Sequence, residues 1–437
     1  MIKPRTLRGF RDALPREELH KRAIQKKLEQ IFRSFGFVPI DTPVLEYAEI
    51  LLGKGGGETD KQVYRFFDHG KRDVALRYDL TVPFARFMAE HAHELPLPFR
   101  RYHMAKVWRG ENTQKGRYRE FIQIDFDIVG SDSPSADLEI LLVMQKSMAA
   151  LGIEDFRIHL FHRGIFNLFL STLGLDLEET KTQVLRVIDK IKKIGAPKTL
   201  ELLTELTDSS RAETILKFIQ VESNDTATLK KITAMLPTNI APLQRLATVW
   251  EGLIACGLES FFCLDPSITR GLDYYTGIVY ETFLHELPSI GSVCSGGRYN
   301  NLASLYSKER LPGVGASIGL DRLLGALEEL QVPGQVEEGP QLILLCLDET
   351  LMATYHRLAS TFREWGYCTE VFPDKKKLAA QFAYAEKRGI PLALFYGTEE
   401  HETGRYSIRD LQTRETFKDL DLKALKKKLA DYPARDR

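Results

Sequence analysis

The chain of 437 residues has only five cysteines (Cys256, Cys263, Cys294, Cys346 and Cys368), and no two form a Cys-x-x-Cys pair. So scattered a set excludes a disulfide framework and offers no zinc-ligand spacing; small buried hydrophobes in a reducing compartment are expected. Net charge is also missing, since 60 basic residues balance 60 acidic ones, and a surface coated uniformly for nucleic acid is excluded. No run approaches the ~18 consecutive apolar residues of a membrane span, and Met1-Ile2-Lys3-Pro4-Arg5 leads into polar chain with no signal segment behind it. A cytoplasmic location and no membrane partner are expected. Gly53-Lys54-Gly55-Gly56-Gly57 lacks P-loop order and reads as a mobile loop. His91 and His93, and His159 and His162, are closely spaced, but no carboxylate or cysteine completes a metal set, so no protein metal site is expected.

What is present describes a folded chain, with 43 % hydrophobic and 27 % charged residues and a length suited to two or three domains. Leu19, Ala23, Ile24, Leu28, Ile31, Phe32 and Phe35 recur at helical spacing over 16–35, and Gly36 closes the helix. Residues 99–130 read as a β-hairpin with arms Tyr102–Glu111 and Tyr118–Val129 and the tip Asn112-Thr113-Gln114-Lys115-Gly116. On the returning arm Ile122, Ile124, Phe126 and Ile128 call for a core, while Phe121, Gln123, Asp125 and Asp127 occupy the other face. Residues 135–151 and most of 165–257 follow a helical pattern; strands return over Ser267–Phe283 and Ser292–Tyr299, before a helix at 321–330. The Pro- and Gly-rich stretch near 333–340 is a linker, and beyond it a βαβαβ pattern predicts a small α/β domain with a largely parallel sheet.

Seven basic residues against one acid lie between Phe99 and Arg119. A solvated charge run is one reading of them. The other is chemical: Arg109, Arg117 and Arg119 with Phe121 suit a triphosphate with a purine, because guanidinium forks bind phosphate oxygens and an aromatic stacks on a base. This Arg-x-Glu … Gly-Arg-x-Arg-x-Phe spacing resembles motif 2 of class II aminoacyl-tRNA synthetases. Gly313-Val314-Gly315-Ala316-Ser317-Ile318-Gly319-Leu320-Asp321-Arg322 resembles motif 3, and Thr42-Pro43-Val44-Leu45-Glu46 resembles motif 1, in the family's order. Arg270-Gly271-Leu272-Asp273-Tyr274-Tyr275-Thr276-Gly277 resembles the signature peculiar to histidyl-tRNA synthetases. Arg8–Pro15, Arg77-Tyr78-Asp79-Leu80-Thr81 and Ser295–Tyr299 support it, and the likeness covers nearly the whole chain.

The resemblance implies an α+β catalytic domain with an antiparallel sheet (1–164 and 258–332), a helical insertion (165–257), a linker (333–340) and a C-terminal α/β anticodon-binding domain (341–437). It implies a homodimer that activates histidine with ATP and magnesium, then transfers it to the 3′ end of its tRNA. Arg109 and Arg270 would be catalytic, with Arg109, Glu111, Arg117, Phe121 and Arg322 on ATP. Histidine would meet Asp79, Thr81, Arg109, Gln123, Asp127, Arg270, Tyr274, Tyr275 and Tyr299, and the tRNA acceptor end Gln114 and Lys115. The alternative is a synthetase-like regulatory subunit of ATP phosphoribosyltransferase. Such subunits typically lose the C-terminal domain and the Arg-Gly-Leu-Asp-Tyr-Tyr signature, both present here.

Overall fold

A computed structural model of the chain describes residues 1–53, 62–113, 116–220, 226–236, 240–268, 275–308, 310–332 and 339–432. The chain divides into two units, Met1–Gly334 and Gln335–Arg437. The larger opens with α1 (Pro15–Ser34), which has proline at its first turn, Glu17 and Glu18 beside the positive helix end, and Gly36 at φ 77° just beyond it. Short strands β1 (Val38–Pro39), β2 (Leu45–Tyr47), β3 (Arg65–Phe67) and β4 (Asp73–Leu76) and helices α2 (Ala48–Leu52) and α3 (Thr81–His91) follow. The hairpin is β5 (Phe99–Trp108) and β6 (Glu120–Val129), and α4 (Pro134–Ala150) leads to β7 (Phe156–His162).

The insertion is helical: α5 (Arg163–Thr172), α6 (Glu178–Ile188), α7 (Ile191–Leu206), α8 (Ser209–Ile219), α9 (Thr226–Ala234) and α10 (Ala241–Ala255). Then come β8 (Phe262–Leu264), β9 (Ile278–Leu284), β10 (Cys294–Tyr299), β11 (Gly313–Gly319) and α11 (Leu320–Glu329). Of the strand expected over Ser267–Phe283, residues 269–274 lie outside the described residues, and β9 begins at Ile278. Asp265 accepts from the backbone N–H of Ser267 at 2.9 Å and its carbonyl accepts from Ile268, so an Asp-Pro turn replaces the first residues.

The main sheet runs β1-β5-β6-β11-β10-β9-β7-β8, antiparallel inside and parallel only at its two edge pairs. One face carries Ile124, Phe126 and Ile128 into a core shared with α1, α4 and the insertion. In that core Arg298 of β10 and Arg245 of α10 both donate to Asp137 of α4, at 2.7 and 2.6 Å. A smaller sheet, β2-β4-β3, lies apart in the same unit.

The C-terminal unit contains β12 (Leu342–Leu344), α12 (Met352–Glu364), β13 (Thr369–Val371), α13 (Leu378–Lys387), β14 (Leu392–Phe395), α14 (Thr398–Thr403), β15 (Tyr406–Asp410), β16 (Thr416–Leu420) and α15 (Leu422–Leu429). Its sheet is mixed, not largely parallel as expected: β13, β12 and β14 are parallel, whereas β15 and β16 are antiparallel. The cause is local. Gly404 at φ 66° ends α14 and turns the chain back, and Asp410 accepts from the N–H of Gln412 and Thr413 in the tight turn before β16.

The Asp137 carboxylate is wholly buried between its two arginines. Removing one partner of a buried ion pair typically costs ~3–5 kcal/mol, because the other charge stays uncompensated. Asp137→Ala is expected to lower the stability of the larger unit by about that amount in urea unfolding followed by tryptophan fluorescence. A loss below about 1 kcal/mol would show that the pair of arginines is satisfied without it.

Candidate active site

Pairing within the hairpin sets the site. Antiparallel register places Arg101 opposite Asp127, His103 opposite Asp125 and Ala105 opposite Gln123, all on the face away from the apolar core. The next strand, β11, aligns Gly315 with Asp127 and Ser317 with Asp125. Two glycines there exist for space. A Cβ on Gly315 would stand 1.9 Å from Asp127 Oδ1, and one on Gly313 would stand 2.3 Å from the Tyr299 ring.

Above this face lies a cavity of about 520 Å³. Asp79, Thr81, Gln123 and Tyr275 line it, as do Arg109, Glu111, Arg117, Phe121 and Arg322. Asp127 and Tyr299 lie in the buried layer beneath, where the Tyr299 hydroxyl donates to Asp127 Oδ1 at 2.6 Å. Arg270, Tyr274, Gln114 and Lys115, and most of the Gly53–Gly57 loop, lie outside the described residues. The insertion contributes Asp189 to the wall, and its Lys192 donates to buried Asp265 at 3.3 Å.

Arg109 Nε donates to the Tyr78 carbonyl at 2.8 Å, and its guanidinium lies 5.2 Å from the centre of the Phe121 ring. Arg117 faces Glu111 at 3.6 Å. Arg322 donates to the Ser292 carbonyl at 2.6 Å. Buried Arg77 joins the Thr42 carbonyl, 2.6 Å away, to the Lys106 carbonyl at 3.0 Å. The N-terminal segment straps the outside. Arg119 N–H donates to the Gly9 carbonyl, and Arg11 reaches Asp321 Oδ1 at 2.8 Å while Asp321 Oδ2 accepts from Ile122 N–H.

The basic run resolves into separate jobs. Arg100 pairs with Glu139 and Lys106 with Glu120, whereas Arg109 and Arg117 reach the cavity. Arg101 is fully buried, with Nη2 2.7 Å from Asp127 Oδ2, so neither a solvated run nor a phosphate track describes it. Sequence reasoning passed over Arg101 and His103. The signal was available, since each basic side chain falls opposite an acid once the arms are paired about the tip. Asp189 and Lys192 gave no such sign.

Burial dominates the electrostatics. It pushes the Asp79 carboxyl up to about 6 against the pull of the Val82 N–H, Arg109 and Arg101. It pushes Asp125 up to about 7, with Asp127 and Asp79 adding to the shift and Arg101 opposing it. His103 falls to about 4, through burial and then the charges of Arg101 and Arg77. A carboxyl raised in the fold favours the folded state below its unfolded pKa, and that contribution is lost as pH rises through the folded value. For Asp125 the window runs from 3.8 to about 7. Asp125→Asn is therefore expected to melt higher than the parent at pH 8, by a few °C, roughly what ~1 kcal/mol gives a domain of this size. The advantage should shrink steadily toward pH 4. An advantage independent of pH would mean that the burial of this charge costs the fold nothing.

The family model described as histidyl-tRNA synthetase matches residues 9–323, and that described as anticodon binding domain matches 341–432. A histidine–tRNA ligase of Treponema denticola is 49 % identical over 401 residues, covering 90 % of this chain and 89 % of the relative. The crystal structure of histidyl-tRNA synthetase from a Nostoc species superposes with a TM-score of 0.88 at 30 % identity, over 99 % of this chain and 100 % of that one. A Bacillus halodurans structure described as an ATP phosphoribosyltransferase regulatory subunit/histidyl-tRNA synthetase shares the fold, at TM-score 0.74 and 22 % identity over 87 % of this chain and 97 % of that one. With profiles, relatives and architecture in agreement, the chain belongs to the histidyl-tRNA synthetase family.

Proposed function

We infer that this chain is an aminoacyl-tRNA synthetase that ligates histidine to its tRNA in two steps, an adenylyl transfer and then an acyl transfer. The observation that carries the reading is one cavity that gathers Arg109, Arg117 and Arg322, the Phe121 ring and a buried carboxylate face. A histidine carboxylate oxygen attacks the α-phosphorus of ATP and pyrophosphate leaves. A ribose hydroxyl at the tRNA 3′ end then attacks the carbonyl carbon of the mixed anhydride, and AMP leaves. Such chemistry depends on positioning and on neutralising charge as it develops.

In this reading Arg109 holds the α-phosphate, Arg117 the γ-phosphate, and Glu111, Phe121 and Arg322 hold the adenosine. Arg270, from the family signature, supplies a second fixed charge at the α-phosphate. Magnesium would arrive with ATP and neutralise its polyphosphate, held mainly by phosphate oxygens and water, with Glu111 and Glu281 among the carboxylates of the cavity wall. The α-amino group of histidine meets Asp79, Thr81 and Gln123. Asp79 suits an ammonium, since its Oδ1 accepts from Val82 N–H while its buried Oδ2 has no donor among the described residues. Asp127 and Tyr275 read the two polar edges of the imidazole, with Tyr274 and Tyr299 beside them. Gln114 and Lys115 at the hairpin tip meet the acceptor end of the tRNA, and residues 341–437 the anticodon.

A homodimer in the cytoplasm completes the proposal. It draws support from apolar side chains left exposed on the small sheet and its neighbours, Val44, Leu45, Tyr47, Phe66 and Phe67, the last 73 % exposed.

Two measurements test the assignment. Asp127→Ala is expected to weaken histidine binding about thirtyfold or more, the usual loss on truncating a buried charged partner, while ATP affinity stays within about threefold. Calorimetry with each ligand reads both; an unaltered histidine affinity would remove Asp127 from the site. A chain ended at Gly334 should keep histidine-dependent ATP–pyrophosphate exchange yet aminoacylate tRNA about tenfold more slowly or worse, having lost one of two linked contact surfaces. Undiminished aminoacylation would refute the role given to the C-terminal unit.

A further inference from the structure

Arg101 sits on a strand of the site hairpin, yet its side chain is completely buried. Its guanidinium lies 4.1 Å from the centre of the Phe84 ring of α3, and Nη2 is 2.7 Å from Asp127 Oδ2. The contact is an ion pair and not a closed hydrogen-bond network. Arg101 Nε, Nη1 and Nη2 have no aligned acceptor among the described residues, and neither Asp127 Oδ2 nor Asp79 Oδ2 has an aligned donor. A buried cation facing several carboxylates is costly to keep, so its retention calls for an explanation beyond packing.

We propose that Arg101 is a positioning residue for the amino acid: by its fixed charge and its place across from Asp127 it keeps that carboxylate ionised and aimed, so that an imidazole N–H finds an acceptor and not a carboxylic acid. The proposal rests on the assignment of this face to histidine. The groups packed about it are Asp125 and Asp127 on β6, Asp79 ahead of α3, His103 on its own strand and Tyr299 on β10. Arg77, Arg109, Tyr275, Tyr306 and Cys294 lie around these. His103 is neutral near pH 7, its pKa lowered to about 4, so it does not share the task.

Burial raises Asp79, Asp125 and Asp127 alike, and the positive charge of Arg101 opposes the rise in all three. Arg77 and Arg109 act at the margins, Arg77 on Asp125 and Arg109 on Asp79. With Arg101 in place Asp125 already lies at about 7 and Asp79 at about 6; without it the face would hold more protons at neutral pH, Asp127 included. A protonated Asp127 would lose capacity as an acceptor, both for the Tyr299 hydroxyl and for a ligand N–H. Guanidinium suits the post better than ammonium, because a delocalised cation is the better neighbour for the Phe84 ring 4.1 Å away, and a buried ammonium gives up its proton more readily.

The test is histidine-dependent ATP–pyrophosphate exchange from pH 6 to 9, expressed as the ratio of variant to parent KM so that titration of histidine itself cancels. Arg101→Met is expected to raise the KM for histidine about tenfold or more at pH 7, with kcat and the KM for ATP within about threefold. The ratio should fall as pH rises, because the carboxylates then ionise unaided. Arg101→Lys should restore most of the loss. A ratio flat with pH, an equal rise in the KM for ATP, or a parental KM would each overturn the proposal. If Arg101→Met does not fold, Arg101→Lys decides: a partial deficit that closes with rising pH supports the role, and a constant deficit or none overturns it. Asp127→Asn in the same assay separates the two levels. A parental histidine KM there would mean that the site assignment has failed. A deficit at every pH keeps Asp127 in the site, and the pH profile of the Arg101 variants then decides whether the guanidinium acts through it.

Discussion

Charge cannot be taken out of water unless something replaces the water, and the large unit is organised around that constraint. Its central sheet has two covered faces, not one. The first is apolar and ordinary, built on Ile124, Phe126 and Ile128. The second has three carboxyls, at Asp79, Asp125 and Asp127, each nearly inaccessible to solvent. What replaces water there is a short set of oriented groups: the Val82 N–H at Asp79, the Tyr299 hydroxyl at Asp127, and the Arg101 guanidinium that all three carboxyls feel. Glycine at 315 is part of the same solution, since any larger residue would occupy the place of a carboxylate oxygen. Binding sites are often assembled from strained or costly features that the remaining fold supports. Here the support is the wide apolar core on the reverse of the same strands.

Much of this was legible in the sequence, for a reason that can be stated. Strand alternation has a period of two, so Gln123, Asp125 and Asp127 were bound to share a face once the returning arm was read as a strand. The arginines of the hairpin and the arginine opening α11 carry chemistry that few other side chains supply, and their order along the chain matched a family pattern. Legibility failed where placement depends on pairing between distant segments. Arg101 looked like one more member of a basic run, and only its register against Asp127 shows it to be an interior residue. Asp189, in the turn after α6, and Lys192, in the first turn of α7, come from sequence with no chemical signature, yet they reach the cavity wall and the buried Asp265. The last hairpin of the C-terminal unit escaped for a smaller reason. Its direction is set by two turns, at Gly404 and after Asp410, and a strand pattern carries no sign of direction.

The three sequence motifs also prove to be mechanically joined. Arg77 binds the Thr42 carbonyl on one side and the Lys106 carbonyl on the other, so the first motif is tied to the hairpin through a buried side chain. Asp321 links the hairpin to the third motif by accepting from Ile122 N–H, and its other oxygen takes Arg11. A site supported in this way transmits small shifts among its parts, because buried donors and acceptors have no water to turn to when a partner moves.

That last contact has a meaning for the order of synthesis. Arg11 is made 310 residues before its partner Asp321. At ~5–20 residues per second the interval is roughly 15–60 s. For that time the opening segment has no anchor at Asp321, and the hairpin lacks β11, the strand that pairs with β6. The apolar face of the hairpin can meet α1 and α4, which are made before the insertion, but the edge of β6 that pairs with β11 stays open while residues 163–312 are made. The helical insertion thus does more than interrupt the catalytic sheet in sequence. It delays the closing of the sheet in time, and the nascent chain is most in need of protection from aggregation while it is being translated.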